Sequence, residues 1–169
     1  MTAATLRFPR IEARSLDRET YDLPGEFEGR WNIAVVAFQR EQQRLVDTWL
    51  PFLVALEAGN DRLRVYEVPV LARRWTPARR FIDGGMAMAI ADRGARARTL
   101  TGYTDVSAVR RALGLPDDST IVTVLTDRDG RITWIATGAF SDRAGRDLSR
   151  ALIEHHPARA SRPDEERSA

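Results

Sequence analysis

Residues 34–51 read AVVAFQREQQRLVDTWLP, and the fold turns on how this stretch is read. An apolar run ends at Phe38, six polar residues follow, and apolar residues then return at a helical spacing. Upstream, RWNIAVVAF (30–38) is almost continuously apolar, the pattern of a central strand covered on both faces. Downstream, Leu45, Trp49, Leu53 and Leu56 recur every three or four residues, flanked by Val46, Leu50 and Phe52. That predicts a buried helix from about Glu41 to Ala58, kinked by Pro51. GND (59–61) ends it, and RLRVYEVPVL (62–71) begins a second strand. Two strands joined by a helix lie parallel, so the stretch is the strand-to-helix elbow of a β-α-β unit.

Working outward, RIEARSLDRETYDLP near the N-terminus alternates as a short hairpin or edge strand does. Residues 72–98 begin like a helix with Pro77 in its first turn, and Gly84-Gly85 is expected to interrupt it. RTLTGYT (98–104) predicts a short strand. TDVSAVRRALG (104–114) predicts a short helix capped by Thr104 and Gly114, with Val106, Val109 and Leu113 on one face. STIVTVLT (119–126) and RITWIATG (131–138) predict strands around an Asp129-Gly130 turn. Ser141 then caps a last helix striped by Ala144, Leu148, Ala151 and Leu152. Residues 1–156 are expected to form one domain. The tail PARASRPDEERSA (157–169), without a large apolar side chain, is expected to be disordered.

Composition narrows the chemistry. At 169 residues the chain is long enough for a hydrophobic core, and 43% apolar with 30% charged residues is ordinary for a globular protein. There is no cysteine, which excludes disulfide exchange, thiol catalysis and thiolate metal sites. All 26 basic residues are arginine, so a lysine Schiff base is excluded as well. A formal net charge of only +2 argues against a nucleic-acid partner. No apolar run approaches the ~20 residues of a membrane span. MTAATLRFPRIEARS lacks the apolar core of a secretory signal, and the expected location is the cytoplasm.

The β-α-β then β-β-α order resembles the thioredoxin superfamily. In that superfamily the first catalytic cysteine lies five residues after a strand-ending phenylalanine, the second three later, and a proline eight past the first. Counted from Phe38, those positions fall on Gln43, Val46 and Pro51 without a gap. TVLTDRDGRITWIATG (123–138) is similar to the strand-turn-strand of peroxiredoxin-like and TlpA-like members, whose cis-proline position falls near Ile121 here. YTDVSAVRRALGLPDDSTIVTVLTDRDGRITWIATGAFS (103–141) and TWLPF (48–52) also resemble mitochondrial ATP synthase assembly factors with a thioredoxin-like fold. The resemblance implies a thioredoxin-like three-layer α/β sandwich with a mixed central sheet and an N-terminal hairpin extension. It further implies an interaction, chaperone or assembly module, without redox activity and with an unidentified protein partner.

Candidate sites are few. Gln42 and Gln43 stand where the resemblance puts a thiolate, and a glutamine there can bind but not exchange electrons. The helix start offers free N–H groups to an anion. Residues 72–98 hold seven arginines against Asp83 and Asp92, a local charge of +5. Arg73, Arg74, Arg79 and Arg80, interleaved with Trp75 and Phe81, are the alternative: an anionic small-ligand site, or a cysteine-independent enzyme. No nucleophile–base pair, phosphate-binding glycine loop or metal-ligand spacing occurs, so no catalytic residue, cofactor or metal is expected. DRDG (127–130) lacks the ligands of a calcium loop. Adjacent His155 and His156 would point about 100° apart on a helix, a poor metal pair. Met86 and Met88 are expected to fill the core.

Overall fold

The computed structural model describes residues 6–89 and 92–155. Seven strands form one mixed sheet: β1 (Ile11–Ser15), β2 (Thr20–Leu23), β3 (Trp31–Ala37), β4 (Leu63–Ala72), β5 (Leu100–Thr104), β6 (Val122–Asp127) and β7 (Ile132–Thr137). Their order across the sheet is β2-β1-β5-β4-β3-β6-β7. β3, which came out of the opening stretch, sits near the middle, parallel to β4 and antiparallel to β6. Five helices accompany the sheet: α1 (Gln43–Ala58), α2 (Arg79–Ala89), α3 (Arg93–Arg98), α4 (Val106–Ala112) and α5 (Asp142–Glu154).

Alternation along the strands builds two cores. Ile33, Val35, Leu63, Val65 and Leu125 point to one face and pack with Val46, Trp49 and Leu53 of α1 and Leu148 and Leu152 of α5. Ala34, Val36, Tyr66, Val68 and Val124 point to the other, against Val109 and Leu113 from the α4 region and Phe8 and Phe27 from the N-terminal segment. β3 is therefore apolar at nearly every position because both its faces are covered. The sequence-level order of hairpin, parallel pair, antiparallel pair and final helix is found, and β5 pairs β4 in parallel and β1 antiparallel, joining the hairpin to the main sheet.

Local rules explain most element ends. Asp127 Oδ1 accepts from the backbone N–H groups of Asp129 and Arg131 at 2.9 Å, and Gly130 takes φ 78°, closing the β6–β7 hairpin. Ser141 caps α5 by accepting from Ala144 N–H. Gly114, at φ 70°, follows α4 as expected of a glycine after a helix C-terminus.

Three expectations need correction. α2 continues through Gly84 and Gly85, because two glycines cost a helix only about 2 kcal/mol in propensity and leave every backbone hydrogen bond intact. The N-cap of α4 is Asp105, not Thr104: its carboxylate accepts from Ser107 and Ala108 N–H, a stronger cap than a hydroxyl one residue earlier. Met88 does not fill the core; it is 89% exposed, while Met86 is half-buried. The tail 157–169 and His156 lie outside the described residues, and the ring of His155 packs edge-on to Trp31.

Candidate functional site

The elbow between β3 and α1 is locked by Gln42. A single 3-10 turn (Arg40–Gln42) separates strand from helix, and it turns the Gln42 side chain inward. Its Oε1 accepts from Phe38 N–H at 2.8 Å and Gln39 N–H at 3.2 Å. Its Nε2 donates to the Asp118 carbonyl at 2.7 Å, where Gln39 Nε2 also donates at 3.1 Å. The expected exposure at Gln42 is thus not found: the residue is 4% exposed. A strand end and a loop carbonyl left backbone groups without ladder partners, and one carboxamide, donor and acceptor together, satisfies both.

Gln43 is exposed at the first position of α1. Its Nε2 donates to Asp47 Oδ1 at 3.0 Å and to Glu67 Oε2 at 3.4 Å. Burial raises the Glu67 carboxyl above its ordinary range; the Gln43 bond and Arg98 oppose that, and Asp47 adds to it. Val46, at the second implied cysteine position, is a core residue. Ile121, before β6, is fully buried. At the two positions where the resemblance implies cysteines the elbow carries an exposed glutamine and a core valine, beside the Gln42 clamp, and nothing there can carry a disulfide.

The arginines of residues 72–98 do not converge. Arg79 turns inward, its guanidinium 5.0 Å from the Tyr103 ring centroid and 3.8 Å from Asp83. Tyr103 donates to Asp83 at 2.9 Å. Burial, then the Asp83 hydrogen bond, pushes the Tyr103 phenol well up, and burial likewise raises Asp83. Arg98 pairs with Glu57 of α1, whose other oxygen accepts from Val65 N–H at 3.1 Å. Arg73, Arg74 and Arg80 are exposed, Arg74 lying 5.7 Å from the Trp75 ring centroid. Arg73, Arg74, Arg79 and Arg80 line neither of the two cavities described below.

Two features escaped the sequence reading. The larger cavity, about 540 Å³ and open to solvent, runs between α1 and α5 over Phe52, Phe140, Gly145 and Ile153, with Asp142, Arg146 and Arg150 on its margin. The Phe52 and Phe140 rings are 5.1 Å apart. A Cβ on Gly145 would come within 2.9 Å of the Phe140 ring and 3.3 Å of the Phe52 ring, so the glycine makes room for both rings. In the groove wall Ile153 is 72% exposed. A smaller cavity of about 170 Å³ lies between β7 and α5. The signal for the groove was present: PFLVALEA (51–58) is apolar nearly all round, which a half-buried helix does not require. The second feature is α2, whose Phe81 and Met88 face outward. Seven residues apart, they share a helix face, and that spacing was legible too.

No protein-family model matches the chain, and no curated protein matches it in sequence. Solved structures do match its fold. A thiol:disulfide interchange protein from Bacteroides sp. superposes with TM-score 0.59 at 16% identity, covering 94% of this chain and 93% of that one. BsSco, a member of the Sco family of cytochrome c oxidase assembly proteins, gives 0.56 at 14% identity, over 88% and 94%. The thioredoxin domain of a thiol-disulfide oxidoreductase from Bacteroides vulgatus gives 0.54 at 18%, over 88% and 98%. These identities establish the architecture. The chain has the thioredoxin-like fold, built without a cysteine.

Proposed function

We propose that this chain is a redox-inactive interaction module of the assembly or chaperone kind, and that it holds a segment of a partner protein in the α1–α5 groove. The observation that carries the reading is the apolar groove floor of Phe52 and Phe140, continuous with exposed Ile153. An apolar surface of this kind on a folded protein marks a contact surface more often than a solvated one. Arg146 and Arg150 at its margin suit a partner segment that carries a carboxylate beside its apolar anchor. The use of this fold by BsSco, an assembly protein, is in keeping with such a role. Gln43, the exposed residue of the elbow, would contribute at most a polar contact.

The competing reading, an enzyme or anion binder built on Arg73, Arg74, Arg79 and Arg80, draws less support. Arg79 is committed to Asp83 and Tyr103, and the other three share no cavity with it. The test is affinity purification from the native host with wild type and with an Ile153→Arg variant. Ile153 is exposed, so the variant should keep the wild-type melting temperature while losing a defined partner. Recovery of the same partner by both proteins would sink the groove assignment. Turnover in an insulin-reduction assay would sink the redox-inactive reading.

A further inference from the structure

Helix α2 turns a charged pair inward and two large apolar side chains outward. Arg79 and Asp83 face the body of the protein beside Tyr103. Phe81 is 87% exposed and Met88 is as bare, while Ile82 and Met86 are half-buried. On a helix Phe81 and Met88 lie about 20° apart around the axis and about 10 Å apart along it. Between them Gly84 and Gly85 present no side chain, and a Cβ at either would meet nothing within 4 Å. Trp75, in the 3-10 turn Arg73–Ala78 leading into the helix, is 47% exposed. Arg73, Arg74 and Arg80 at this same end are exposed and make no ion pair among the described residues.

We infer that the segment Arg73–Met88 seats the protein on an anionic lipid surface, with Phe81 and Met88 entering the interfacial layer and Arg73, Arg74 and Arg80 meeting the head groups. Charge complementarity selects an anionic occupant, because three uncompensated guanidinium groups accompany the apolar residues. Shape selects a fluid one. The face is a ridge with two widely spaced anchors, and neither described cavity touches it. A lipid interface closes around such a ridge without needing a matching surface. The polar contacts to Tyr103 hold the inward side of α2 to the domain, so the helix can lie on a membrane without leaving the fold. Among the described residues no helix is long and apolar enough to cross a membrane, and the contact proposed is peripheral. This inference is independent of the α1–α5 groove.

The full-length protein should co-sediment with equimolar phosphatidylcholine–phosphatidylglycerol vesicles and not with phosphatidylcholine vesicles. Binding should weaken as salt shortens the screening length from ~10 Å at 0.1 M to ~3 Å at 1 M. An Arg73→Gln/Arg74→Gln/Arg80→Gln variant should partition about a hundredfold less, at about 1 kcal/mol per arginine near the surface. A Phe81→Ala/Met88→Ala variant should lose at least about tenfold. Both sets of positions are exposed, so unchanged melting temperatures confirm that folding is intact. Equal binding of wild type and both variants, or no binding to anionic vesicles, overturns the inference. Self-association in sedimentation equilibrium that disappears with Phe81→Ala would assign the face to a second copy of the chain and overturn it too. Ile153→Arg should leave vesicle binding unchanged, so failure of either proposal can be told from failure of the other.

Discussion

Gln42 shows how one side chain can close a site. Its three hydrogen bonds join the end of β3 to the loop ahead of β6, 76 residues away along the chain at Asp118. Replacing it with alanine strands two backbone N–H groups and leaves the Asp118 carbonyl with Gln39 alone as donor, and Gln42→Ala should cost about 2–3 kcal/mol in urea denaturation. Gln42→Glu should also destabilise, because its second oxygen would face the Asp118 carbonyl; acidification, by protonating it, should return part of the loss. Glu67 makes the opposite prediction. Its folded-state affinity for a proton is raised by burial, so the folded protein binds more protons than the unfolded chain above the ordinary value of 4.5. Its presence therefore lowers stability as pH rises through that window. Glu67→Gln, which can still accept from Gln43, should raise the melting temperature at neutral pH, with the gain vanishing below the ordinary glutamate range. A gain that persists unchanged at low pH would refute this. Neither residue's role could be read from the sequence, since a glutamine or glutamate of this kind is ordinarily solvated.

Among the elements, α1 and α2 differ in what holds them. α1 is fixed by burial of Trp49 and Leu53, and the Trp49 indole N–H donates to the Gly138 carbonyl at 2.9 Å. Leu53→Ala should cost 2–5 kcal/mol. α2 has little such anchorage and two interior glycines. Gly84→Ala and Gly85→Ala, each entering open space, should each stabilise the helix by about 0.5–1 kcal/mol, read as slower hydrogen exchange of the α2 amides. Unchanged or faster exchange would show that the glycines serve another purpose. Periodicity locates α1, which carries a 3.6-residue apolar repeat, whereas α2 is legible only as a helical start that Gly84-Gly85 is expected to interrupt. Nor could periodicity say which side of α2 meets the protein, since an apolar stripe looks the same whether the domain or a partner covers it.

Across the whole molecule, the N-terminal segment proves to be structural rather than appended. Phe8 N–H donates to the Gly130 carbonyl at 2.8 Å and Ile132 N–H to the Leu6 carbonyl at 2.9 Å, while β1 pairs β5 near the other edge of the sheet. At Gly130 a Cβ would lie 2.5 Å from the Pro24 ring, and φ is 78°. Gly130→Ala should cost about 2–4 kcal/mol by adding left-handed strain to overpacking, and a denaturant midpoint equal to wild type would contradict that account. What the sequence by itself determined was whatever depends on neighbours in the chain: strand and helix periods, the Asp129-Gly130 turn, the Ser141 cap, the Phe38–Pro51 spacing and the absence of thiol chemistry. What only the tertiary structure decided depends on groups far apart in the chain. These are the burial of Gln42 against Asp118, the dispersal of the arginines between Asp83, Glu57 and solvent, the groove between α1 and α5, and the outward face of α2. Local pattern reports that a surface is apolar or charged; only packing determines whether the same molecule covers it.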